Sequence, residues 1–159
     1  MRTIKFRAWD KSAETMNYKG TLGSGSSSDL LSICFDGQVI IQNAFGLDFG
    51  ARNPAFDPPA DNFIIEQFTE IICNKGKEIY EGDIVYKFYG DNTVKERLRG
   101  AKGVVEFGRY SVVKDSYGVE YFATGWHMKF LDGSGAIEVT DKFEVIGNIH
   151  ENPNLLTND

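Results

Sequence analysis

The chain has 159 residues, 42% of them hydrophobic and 13% aromatic, with a net charge of −6. That length suits one domain, or one domain with a small subdomain, and the apolar content excludes a disordered chain. Mild acidity disfavours general binding to phosphate backbones, no stretch nears the roughly 20 apolar residues of a membrane span, and the charged start (Arg2, Lys5, Arg7, Asp10) lacks the apolar run of a secretory signal, so a cytoplasmic location is expected.

Residues 3–9 alternate. Ile4, Phe6 and Ala8 share one face and Lys5, Arg7 and Trp9 the other, which predicts a half-buried strand with Arg7 outward and Trp9 covering a core edge. Residues 20–28 are rich in Gly and Ser and read as a loop. The apolar runs 30–35 and 38–42 flank Asp36-Gly37, a hairpin signal. Residues 43–62 carry three of the four prolines together with Phe45, Phe49 and Phe56. A loop of that length inside a compact domain either forms a short helix or makes contacts, and its phenylalanines are expected to fold onto the body of the protein.

A β pattern returns at 63–72, followed by a turn at 74–77. A strand at 78–80, a tight Glu81-Gly82-Asp83 corner and a strand at 84–89 come next. Gly82 is expected at positive φ, with Asp83 bonding turn amides. Short strands then follow at 102–107, 109–113, 119–122, 126–131, 136–139 and 143–149, with a hairpin turn at 132–135. Asn152-Pro153 can cap one helical turn holding Leu155 and Leu156. No amphipathic pattern of three helical turns is evident. The chain reads as mainly β, and the strand spacing beyond position 78 suggests a small barrel or sandwich. Two units are expected, a β-rich subdomain over 1–66 and a barrel over 67–159.

Three segments, Ile4-Lys-Phe-Arg-Ala-Trp-Asp10, Gly76-Lys-Glu-Ile-Tyr-Glu-Gly-Asp-Ile-Val85 and Val145-Ile-Gly-Asn-Ile-His-Glu-Asn-Pro153, together resemble the YopX family of phage and prophage proteins. The resemblance covers most of the chain and is weakest between Leu22 and Asn62. It implies an SH3-like barrel in the C-terminal half and a prophage or phage gene of a Gram-positive bacterium, hence a bacterial host cell. It carries no catalytic residues and no cofactor. The family commonly has Gln-Phe-Thr-Gly-Leu before its central motif, where this chain has Gln67-Phe-Thr-Glu-Ile71. Glu70 stands where glycine is usual, which leaves a glycine-type bend without its usual residue. Ile72 and Cys73 replace polar residues and would need cover from a partner or from the 43–62 loop.

Reactive constellations are lacking in the sequence. The histidines His127 and His150 are isolated, and alternation places His127 on a solvated face opposite Trp126, Met128 and Phe130. With Cys34 and Cys73 they would need four scattered residues to converge on a metal. Neither cysteine sits in a Cys-x-x-Cys pair, so both are expected as free thiols, in the core or half-buried. No nucleophile elbow or phosphate loop occurs. One charge cluster stands out: Lys87, Lys95, Arg97, Arg99 and Lys102 against Asp91 and Glu96, five minus two or +3 in an acidic chain.

Three readings follow. The chain is a non-catalytic binding or assembly module with a protein partner; or a nucleic-acid-binding barrel using the 87–102 loop beside Phe88 and Tyr89; or an enzyme of unrecognised type. No cofactor and no membrane are expected. Self-association through Ile71-Ile72-Cys73 or the Phe45–Phe56 loop is expected from their apolar surface.

Overall fold

In a computed structural model of the chain, the structure describes residues 5–17, 21–22, 29–33, 39–42, 63–87, 101–114 and 116–157. Among these the protein is mainly β, with antiparallel sheets, one of them curled as a half-barrel, and no helix as long as seven residues. The chain divides into two compact units, one within Lys5–Glu66 and one within Gln67–Asp159.

In the first unit, β1 (Phe6–Asp10) pairs with β2 (Thr15–Asn17). Asp10 Oδ1 accepts the amides of Ser12 and Ala13 and so closes the turn between them. A separate three-stranded sheet holds β3 (Thr21–Leu22), β4 (Asp29–Ile33) and β5 (Val39–Gln42). The expected hairpin is present, but Ile33 pairs with Val39. A two-residue Asp36-Gly37 turn would instead pair residues 34 and 39. That connection, Cys34 and the 43–62 segment lie outside the described residues.

The simple alternation of β1 does not hold. Arg7, Ala8 and Trp9 are all buried, while Phe6 is half-exposed. A strand covered on both faces cannot keep a charge without a partner. Arg7 meets Glu66, near the start of β6 (Phe63–Ile72), with Nε and Nη2 each 2.6 Å from Oε2.

In the second unit the remainder of β6 pairs with β7 (Glu78–Tyr80), and the Phe68 and Tyr80 rings pack 5.4 Å apart. The Thr69 hydroxyl donates to the Ile79 carbonyl at 2.8 Å. β6 bulges between Phe68 and Ile72, where Glu70 takes φ +69°. The bend thus forms with glutamate rather than glycine at its positive-φ position.

The corner after β7 forms as expected. Gly82 has φ +75° and Asp83 Oδ2 accepts the Tyr80 amide at 2.8 Å. The Gly82 amide donates to Val105, and its carbonyl accepts from Ile149. The corner therefore ties β8 (Asp83–Lys87) to β9 (Lys102–Lys114) and to the end of β12 (Phe143–Asn148).

These three join β10 (Glu120–Phe130) and β11 (Ala136–Glu138) in a sheet of order β11-β10-β9-β8-β12. Cys73, Ile79, Val85, Val105, Met128, Val139 and Phe143 form its core. Each large apolar side chain buried there is worth about 1.5–3 kcal/mol. Cys73 is a buried thiol within that core.

Two expected strand pairs prove to be single long strands: 102–107 with 109–113 form β9, and 119–122 with 126–131 form β10. Gly108 and Gly125 fall in the gaps between those expected strands, yet they sit opposite one another in the ladder, so neither interrupts it. Asn152-Pro153 begins a single 3-10 turn, Pro153–Leu156, but the Asn152 side chain does not cap it. Asn152 Oδ1 instead accepts the Asn148 amide, and a Cβ at Gly147 would strike Asn152 and Leu155. Glycine at 147 is what lets the turn close on the end of β12.

Candidate functional site: the aromatic face of the long ribbon

β8 pairs with β9 only at Lys102–Val104, and β11 with β10 only at His127–Lys129. Among the described residues the rest of β9 and β10 is therefore a two-stranded ribbon. Alternation gives it two distinct faces.

One face continues the core outward. Val105 opposite Met128 is fully buried, and the next rungs are Phe107 with Trp126, Arg109 with Thr124, and Ser111 with Phe122. Trp126 packs partly against the core, with Phe107 edge-on to it at 5.1 Å. The Arg109 guanidinium lies 4.1 Å from the Phe122 ring centroid, a cation–π distance. Phe107 is 57% and Phe122 47% exposed. Towards the tip, where a bulge interrupts the register between Tyr121 and Phe122, Val112, Tyr117, Val119 and Tyr121 are also exposed.

The other face is polar and more closed. Gly108 and Gly125 leave a gap that the Tyr110 ring fills by stacking on His127, with centroids 4.7 Å apart and planes at 24°. His127 is consequently buried, and its Nδ1 lies 3.1 Å from the Gly125 carbonyl. The expectation of a solvated His127 fails here, because alternation gives the face of a side chain but not what leans over it. Loss of hydration, followed by the negative charge of Glu138, holds the Tyr110 hydroxyl above its ordinary pKa. Glu106 and Lys129 form an exposed pair at 3.6 Å, which contributes little to stability.

The predicted basic cluster is only partly visible. Lys87 ends β8, half-buried with its ammonium 5.8 Å from the Phe143 ring centroid, and Lys102 opens β9, exposed and opposite Tyr86. Alternation sends these two side chains to opposite faces, so the structure does not bring them together. Lys95, Arg97 and Arg99 lie outside the described residues. Among the described residues no three His, Cys, Asp or Glu side chains gather as metal ligands. No described helix is long and apolar enough to cross a membrane. The ribbon's aromatic face escapes a reading of the sequence, because two apparent glycine breaks hide the continuity of its strands. The visible signal is Phe122 and Trp126, four positions apart on either side of Gly125.

The crystal structure of protein EF1440 from Enterococcus faecalis is 25% identical to this chain, with 99% of this chain and 100% of that one covered and a TM-score of 0.45. No curated protein matches the chain significantly. The family described as YopX protein matches over residues 5–157, nearly the whole length, and the chain belongs to that family.

Proposed function

We propose that the protein is a non-catalytic binding or assembly module of a phage or prophage, acting in the bacterial cytoplasm, whose docking element is the aromatic face of the β9–β10 ribbon. The five-stranded sheet is the scaffold, in this reading an SH3-like barrel from which the ribbon extends. One observation carries the proposal: apolar rings exposed on a two-stranded extension of a packed core. Apolar surface gathered in one place is costly in water and is typical of interaction sites. Aromatic residues and arginine are the types enriched where proteins dock.

A photo-crosslinking phenylalanine at position 122 tests this in cells, with the same label at Ser134, in the β10–β11 turn, as control. An adduct specific to position 122 is the expected result. Equal or absent labelling at both positions sinks the proposal. A second reading, binding of single-stranded nucleic acid, draws on the same rings as stacking platforms and on the basic residues of 87–102. A salt-dependent mobility shift of labelled oligonucleotide is its test.

A further inference from the structure

We infer that the occupant of the ribbon's aromatic face is a second copy of this chain, an inference that rests on the docking role proposed above. Three observations point to it.

The first is area. Phe107 and Phe122 lie on that face, and Val112, Tyr117, Val119 and Tyr121 follow at and beyond the bulge; each is about half exposed or more. A large aromatic side chain offers roughly 150–250 Å² when wholly exposed, so a half-exposed ring offers about half of that. Phe107 and Phe122, with the exposed residues towards the tip, thus present apolar surface on the order of several hundred Å², a substantial part of the roughly 800 Å² that each partner contributes to a standard interface.

The second is charge. The whole chain carries −6, so two copies repel one another over most approaches. Residues 107–126 hold Arg109 and Lys114 against Asp115 and Glu120, two positive and two negative, and are neutral. Self-association meets no net local charge there. Nucleic acid would gain little from a neutral patch on an acidic protein, since its affinity comes largely from phosphate neutralisation.

The third is the composition of the face. Beyond the core its rungs are Phe107, Trp126, Arg109, Thr124, Ser111 and Phe122. Arg109 already lies against Phe122, so its guanidinium can enter an interface stacked on a ring. No carboxylate sits among these rungs to be buried without a partner.

The test is solution mass of the full chain by sedimentation, over a hundredfold range of concentration, for the wild type, Phe122→Asp and Thr124→Arg. The wild type is expected as a dimer at micromolar concentration, with both variants shifted towards monomer by at least tenfold in concentration. Thr124 is exposed, so its variant keeps the test alive if Phe122→Asp does not fold, and circular dichroism checks each. A third variant, Thr124→Cys in a Cys34→Ser background, should form a disulfide-linked dimer on mild oxidation. A wild type that stays monomeric overturns the inference, as does a dimer that both ribbon variants leave intact. Photo-crosslinking at position 122 separates the two levels: a monomer that labels a different protein there overturns only the second-copy assignment, whereas a monomer that labels nothing overturns the docking role as well.

Discussion

Tyr110 stacks on His127 across a rung that has no side chains of its own, Gly108 opposite Gly125. The ring of one strand fills the space two glycines leave and shields an imidazole that would otherwise be wet. Without Tyr110, the polar face of that rung has no side chain to cover it. Tyr110→Ala is expected to destabilise the protein by about 1 kcal/mol or more, as an aromatic pair is worth that beyond its area. At this chain length such a loss lowers Tm by roughly 2–4 °C. Tyr110→Phe, which keeps the stack, should cost much less. Equal melting temperatures for the wild type and the alanine variant would show the stack to be incidental.

The same ring gives a pH signature. Tyr110 loses its proton above its ordinary value of 10.0, through lost hydration first and the charge of Glu138 second. The folded state therefore holds the proton more tightly than the unfolded state. This contribution to stability is whole below the unfolded pKa and is lost as pH rises through the raised folded value. Glu138→Gln removes the second cause and should move Tyr110 ionisation down, towards 10.0. Tyrosinate absorbance, with Tyr110→Phe as the subtraction, measures it. An upward shift would contradict the assignment.

Glu70 occupies φ +69° at the β6 bulge, a conformation that disfavours any residue with a Cβ. The bulge is fixed by the Thr69 hydroxyl, which donates to the Ile79 carbonyl and accepts the Ile71 amide. Glu70→Gly relieves the strain but frees the unfolded chain, so the net effect should run from neutral to about 1 kcal/mol of stabilisation. Glu70→Val should cost about 1–3 kcal/mol, because a β-branched residue tolerates that region least. Denaturant midpoints for the pair decide it. A valine variant as stable as the glycine variant would mean that the bulge relaxes.

Gly82 at φ +75° is held by two backbone bonds, to Val105 and from Ile149. Gly82→Val should destabilise by roughly 1–3 kcal/mol, because the corner cannot relax without breaking a bond to β9 or to the end of β12. An unchanged melting temperature is the contrary result.

How much of this was legible in the sequence depends on range. The Gly82 corner, the 132–135 turn and the bounds of β6 and β7 were readable because turn chemistry and alternation are local. Gly108 and Gly125 misled for the opposite reason. A glycine looks like a break until its cross-strand partner is known, and that partner lies 17 positions away. The same blindness hid the ribbon face and placed His127 in solvent. Arg7 was assigned outward because alternation cannot see a strand covered on both faces.

The Arg7–Glu66 pair is the strongest case of that long-range control. Both side chains are almost wholly buried, 59 positions apart in sequence, and Oε2 of Glu66 accepts from both Nε and Nη2 of Arg7. Burying two charges costs several kcal/mol per ion before their attraction is counted, so the pair as a whole adds little net stability. Removing one partner is different, because the other charge stays buried and loses the ion pair that offsets its desolvation. Arg7→Met and Glu66→Leu should therefore each cost about 3–5 kcal/mol. The double variant should recover most of that loss, since two apolar side chains can fill the space without a desolvation cost. A double-mutant cycle by chemical denaturation measures the coupling. Additive losses, with the double variant less stable than either single one, would show that Arg7 and Glu66 are held by their other neighbours rather than by each other.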